Sequence, residues 1–159
     1  MKSILSLLEK DATLTAKQIA VMLGISEAEA AARIKQYEED KTILGYKAIV
    51  DWDKCENELV SAMIELKVTP KLNEGFEKVA KEIEQYEEVS SVFLMSGGFD
   101  IWVLVEGKTL KEVALFVGEK LAPMEEVLST ATHFVLKKYK VDGIIAGENI
   151  KDPREVISL

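Results

Sequence analysis

A single cysteine, a single histidine, two arginines and three prolines leave several functions without their residues. Cys55 has no second thiol to pair with inside the chain, which fits a reducing cytoplasm, and it reads as an inert small apolar residue. His133 stands alone, with no cysteine pair to complete a zinc site, so no metal, cofactor or catalytic residue is expected. No apolar run reaches the length a bilayer demands and no charged-then-apolar leader is present, so neither secretion nor membrane insertion is expected. Basic charge is scarce as well. A net charge of −8 opposes indiscriminate binding to nucleic acid, which depends on neutralising phosphates. The deficit is uneven: 8 Lys/Arg face 9 Asp/Glu up to Cys55, against 12 and 19 beyond it. A DNA partner must therefore be held by the N-terminal third.

What the chain does contain is a globular balance, 48% hydrophobic and 30% charged, which argues against disorder. Ile4, Leu5, Leu7 and Leu8 place an apolar stripe on a short first helix. Two helices with capping-box starts follow. Thr15-Ala16-Lys17-Gln18 and Ser26-Glu27-Ala28-Glu29 each pair a hydroxyl with an amide or acid three residues on. Ala20 is small where helices cross, and Gly24-Ile25 permit a sharp turn. This is the spacing of a helix-turn-helix. The second helix ends near Glu39-Asp40-Lys41, and Ile43 to Trp52 reads as a strand, making a winged-helix-like unit. Asp51 to Glu58 is a short polar hinge.

The remainder reads βαββαβ. Leu59 to Val68 alternates, with Val60, Ala62, Ile64, Leu66 and Val68 on one side. Phe76, Val79, Ala80, Ile83 and Tyr86 recur at helical spacing. Val89 to Met95 and Phe99 to Val105 are strands flanking Gly97-Gly98. A helix from Leu110 stops at Pro123, and Val127 to Tyr139 is a long last strand. This is the ferredoxin-like order within an α+β chain, with one sheet face left needing a cover, so a dimer is expected. The boundaries expected are 1–52 for the helix-turn-helix domain with its strand linker, 58–142 for the βαββαβ domain, and 143–159 for a C-terminal tail.

With these parts in this order, residues 1 to 142 resemble the Lrp/AsnC family of prokaryotic transcription regulators. The strings that carry the resemblance are Ile25-Ser26, Arg33-Ile34-Lys35, Ile43-Leu44-Gly45-Tyr46 and Ser96-Gly97-Gly98-Phe99-Asp100, with Thr130-Ala131-Thr132 as an echo on the last strand. The resemblance implies a cytoplasmic regulator that binds double-stranded DNA and answers to an amino acid or related metabolite through a C-terminal domain of the RAM type. It also implies dimers formed through that domain, assembling in some members to octamers, with the effector near the glycine–aspartate loop. Two departures stand out. The recognition helix reads Glu27 to Ala32 where the family usually offers serine, threonine, proline or basic residues, and Lys41 stands where glycine commonly closes that helix.

On these grounds Arg33 and Lys35 are the candidate groove contacts, with Lys17 and Lys47 on the backbone. Ser26 is a cap that also faces phosphate. The bland alternative for Arg33 is a surface pair with Glu29 one turn away. Gly97 and Gly98 leave backbone N–H groups unshielded for a carboxylate, and Phe99 completes the loop. Asp100 offers an acceptor for an ammonium, and Thr130 and Thr132 add hydroxyls. The alternative is a plain hairpin closed by Asp100. His133 reads as a buried or interface imidazole, Trp52 and Trp102 as core or dimer contacts. Glu82, Glu84, Glu87 and Glu88 read as a solvated helix face. Two other functions compete: a metabolite-sensing oligomer with weakened DNA binding, suggested by the acidic recognition helix, and a tetrapyrrole decarboxylase on the same scaffold. The second wants convergent histidines and arginines, and the chain offers His133, Arg33 and Arg154.

Overall fold

The computed structural model describes residues 3–55, 59–69 and 75–146. The chain divides into two compact units, Met1–Ile49 and Val50–Leu159. In the first, α1 (Ile4–Leu8) starts at Ser3, whose side chain and that of Ser6 cap each other's backbone. α2 (Ala16–Leu23) starts at Thr15 with the full reciprocal cap: Gln18 N–H donates to Thr15 Oγ1, and Thr15 N–H to Gln18 Oε1 at 2.8 Å. Gly24, at φ 68°, ends α2 in the left-handed region, and Ile25 N–H turns back to Ala20 O at 3.1 Å. α3 (Glu27–Glu39) then begins at Ser26, which accepts from Glu29 N–H at 3.1 Å. Ile4, Leu8, Ile19, Ala20 and Ala30 are buried together, with Ile34 and Tyr37 packed against them. That core fixes which face of α3 looks outward.

The expected capping box at Ser26 is only half made. The Glu29 carboxylate does not reach back to Ser26 N–H; it pairs instead with Arg33 at 2.7 Å. A full charge one turn on competes better for a carboxylate than a neutral amide does.

The strand expected over Ile43 to Trp52 is a second correction. Ile43 packs on the first core, but residues 44–51 form no strand, and a short 3-10 turn follows at Trp52–Lys54. Leu44, Tyr46, Ile49 and Val50 remain exposed. A β pattern specifies a face to be buried, yet a strand also needs a ladder partner, and none lies beside this segment among the described residues. Among the described residues the first unit is accordingly helical.

The second unit is a four-stranded antiparallel sheet in the order β2-β3-β1-β4. Its elements are β1 (Val60–Val68), α4 (Glu77–Ile83), β2 (Val89–Leu94), β3 (Ile101–Gly107), α5 (Leu110–Phe116) and β4 (Val127–Phe134). The βαββαβ order is as the sequence pattern requires. Ala62, Ile64, Leu66, Ile101, Val103 and Val105 form one face of the core, closed by Val79 and Ile83 of α4 and Val113 and Phe116 of α5. Each fully buried valine, leucine or isoleucine there contributes roughly 1.5–3 kcal/mol.

Several boundaries move. β3 starts two residues later than expected because Phe99 and Asp100 belong to the loop. α5 gives way at Val117–Leu121 to a π-helical turn before Pro123. β4 ends at Phe134 rather than Tyr139, because its neighbour β1 begins at Val60 and the last bond to it is Val135 N–H to Ser61 O at 2.9 Å. Part of the expected tail is folded: β5 (Lys140–Val141) and β6 (Ile144–Ile145) make a small hairpin around Asp142 and Gly143, both at positive φ. Residues 147–159 of the expected tail, and 56–58 of the expected hinge, lie outside the described residues.

Candidate functional site

Two regions hold the residues the sequence points to. The first is the outward face of α3. Ala30, Ile34 and Tyr37 turn inward at helical spacing, which leaves Ala28, Ala31, Ala32, Lys35 and Gln36 exposed. Arg33 is exposed but engaged by Glu29, and Lys35 pairs with Glu39 at 3.6 Å. Both pairs are solvent-facing, so each is worth only about 0.3–0.5 kcal/mol and is readily exchanged for a stronger anion. Lys17 is exposed on the first turn of α2, and Ser26 caps α3. Lys47 is exposed on the extended segment after α3. That segment is tied to the helix by Tyr46, whose hydroxyl donates to Glu38 Oε1 at 2.8 Å. The bond to a carboxylate pushes the Tyr46 phenol above its usual range, with slight desolvation and the Glu38 charge adding in the same direction.

The second region is the β2–β3 loop. Met95 N–H donates to Asp100 O and Asp100 N–H to Leu66 O, at 2.8 and 2.9 Å. The Asp100 carboxylate accepts from Val68 N–H at 2.8 Å, clasping the end of β1 from 32 residues away. Asp100 thus has a structural partner on one oxygen. The glycines are more telling. Neither Gly97 nor Gly98 adopts a positive φ, and a Cβ at either would meet nothing within 4 Å. Neither backbone conformation nor neighbours in this chain call for glycine at these positions. Phe99 is half-buried behind them.

Thr130 and Thr132 lie on β4, opposite Leu66 and Ile64 of β1, while Ile101 pairs with Leu66 from the other side. The loop and Thr130 therefore reach the same end of the sheet, separated by the width of β1, roughly 10 Å over two inter-strand spacings. Gly97, Gly98, Phe99 and Asp100 come together as one loop. The two threonines flank it and do not join it within the chain.

The sheet face away from α4 and α5 carries Met63, Phe93, Trp102 and Leu104, interleaved with polar residues. Phe93 and Trp102 meet with their rings tilted at 46° and centroids 5.4 Å apart. His133 is exposed there, 3.4 Å from Glu65, so it is not buried within the chain. Trp52 is partly exposed in the 3-10 turn. Glu82, Glu84, Glu87 and Glu88 are all exposed, as a solvated face requires. Cys55 is exposed too, with its thiol near Asp51 O. No helix among the described residues is long and apolar enough to cross a membrane.

A helix-turn-helix and a βαββαβ sheet domain in one chain define a two-part transcription regulator, with one part for DNA and one for a ligand. Residues 2–38 match the AsnC-type helix-turn-helix domain and residues 61–145 the Lrp/AsnC ligand binding domain. The chain belongs to the Lrp/AsnC family. It is 43% identical over 156 residues to YugG of Bacillus subtilis, itself an uncharacterised HTH-type transcriptional regulator, covering 98% of this chain and 94% of that one. Among solved structures, it resembles a transcriptional regulator of Neisseria meningitidis in complex with L-Met, at TM-score 0.69 and 23% identity, covering 89% and 91% of the two chains. The leucine response regulatory protein of Mycobacterium tuberculosis has the same fold at TM-score 0.72 and 19% identity, covering 87% and 92%.

Proposed function

We propose that the protein is a cytoplasmic, dimeric regulator of transcription, without catalytic activity, that binds DNA through α3 and an amino acid at the β2–β3 loop. Residues 1–52 serve DNA and residues 58–142 the effector and the dimer. Arg33 and Lys35 exchange their carboxylate partners for the DNA. Lys17, Lys47 and the capped N-terminus at Ser26 hold the backbone. Two copies present their α3 helices to half-sites about one helical turn apart. Met63, Phe93, Trp102 and Leu104 on the outer sheet face, and the exposed Leu44, Ile49 and Val50, support pairing with a second copy. Octamers follow if dimers then meet through the loops.

The observation that carries the effector site is the open space over Gly97 and Gly98 beside Asp100. Two unshielded glycines suit an α-carboxylate on backbone N–H groups, and the second Asp100 oxygen suits the ammonium. Thr130 and Thr132 supply hydroxyls at the rim. An effector acts only by favouring one assembly over another, which requires unequal affinity for the two. Asp100→Asn provides the test, because the amide oxygen still accepts from Val68 N–H while the charge is gone. The variant should melt at the parent's temperature without ligand yet lose the upward shift that a panel of amino acids gives the parent. An unchanged shift removes Asp100 from the ammonium.

A second reading is favoured by one observation: both α3 cations are already paired with carboxylates. In that reading the protein senses a metabolite and binds DNA only weakly. A salt series on DNA from upstream of its own coding sequence separates the two. Steep loss of affinity with rising salt marks the regulator, and no binding at low salt marks the sensor.

A further inference from the structure

Ala28, Ala32 and Gln36 stand at i, i+4 and i+8 on α3, in a single stripe opposite the inward-facing Ala30, Ile34 and Tyr37. All three are exposed. The Gln36 side chain has no hydrogen-bond partner among the described residues, whereas Arg33 and Lys35 beside the stripe lean on Glu29 and Glu39. The outermost line of the helix thus carries two methyl groups and one free carboxamide, with its cations at the flanks.

Those groups share one base chemistry. A methyl side chain packs on the C5-methyl of thymine and offers nothing to guanine O6 or N7. A glutamine amide matches adenine N6 and N7 together. We infer that the α3 stripe reads A·T pairs in each half-site: Ala28 and Ala32 against thymine methyls, Gln36 against an adenine edge. The inference rests on α3 entering the major groove, and it adds which bases are read and by which residues. The alanines are one near-turn apart, about 6 Å along the helix, so their thymines lie about two base steps apart.

The experiment selects duplexes from a random pool with the full chain at low salt, then replaces single bases in the selected half-site. Uracil in place of thymine deletes only the methyl, and 7-deazaadenine in place of adenine deletes only N7. We expect uracil to weaken binding about fourfold at two positions, and 7-deazaadenine about tenfold at one. Ala32→Ser should lose the uracil penalty at one of those positions and keep the other. Gln36→Ala should lose the 7-deazaadenine penalty alone. These matched losses are not expected if the residues only support the helix. Tight, salt-dependent binding that ignores every such replacement overturns the inference and leaves the DNA-binding reading standing. Failure to select any duplex overturns both.

Discussion

Lys41 closes α3 with φ at 62°, a left-handed conformation that a side chain with a Cβ adopts at a cost of about 1–2 kcal/mol. Ile43 N–H then returns to Tyr37 O at 2.8 Å, so the turn is well made and the strain is local to one residue. Glycine would remove that strain while losing about 0.5–1 kcal/mol to the greater freedom of the unfolded chain. Lys41→Gly should therefore stabilise the N-terminal unit by about 0.5–1 kcal/mol, measured as a raised urea midpoint of its helical signal. A lowered midpoint would show that the lysine side chain contributes more than its backbone costs. The same scale explains what the sequence hid at Glu29. The capping-box pattern fits, but Arg33 four residues on is a stronger partner, and a pattern of residue types does not rank two acceptable partners.

At the scale of elements, Tyr46 is the link between α3 and the extended segment after it. Because its phenol pKa is raised in the folded state, the bond to Glu38 contributes fully below the unfolded value of about 10 and is lost as pH climbs through the raised value. The phenol absorbance that Tyr46→Phe removes should titrate above the ordinary tyrosine range, and Glu38→Ala should bring it back. Equal midpoints in the parent and Glu38→Ala would mean the bond does not persist in solution. Helix starts were legible because a cap is a local event over four residues, and so were strand faces, because alternation is local too. The segment 44–51 was misread because its alternation describes a surface whose ladder partner is not beside it. β4 was overextended because its end is set by where β1 begins, more than sixty residues earlier. In the loop, Gly97-Gly98 and Asp100 were visible as candidates. The clasp from Asp100 to Val68 was not, since it joins positions that only the sheet brings together.

At the scale of the whole molecule, the described residues hold two cores that share no buried residue, one around Ile19 and one around Ile64. Truncating Ile19 to alanine should cost about 2–5 kcal/mol, most of what so small a helical unit has to lose. Ile19→Ala should accordingly abolish DNA binding and amide protection in α2 and α3, while β1 and β3 keep their protection. Loss of protection in both units would make the two cores one cooperative system. The Val68–Asp100 bond bears on the same separation in another way. The amide proton of Val68 points at the carboxylate proposed to meet the effector, so its chemical shift and exchange rate depend on that carboxylate's charge and position. A spectrum of the nitrogen-15-enriched protein would thus show loop occupancy at one resonance in the native sequence, with no attached reporter group, and the signals of α3 would show in the same spectrum whether the news travels.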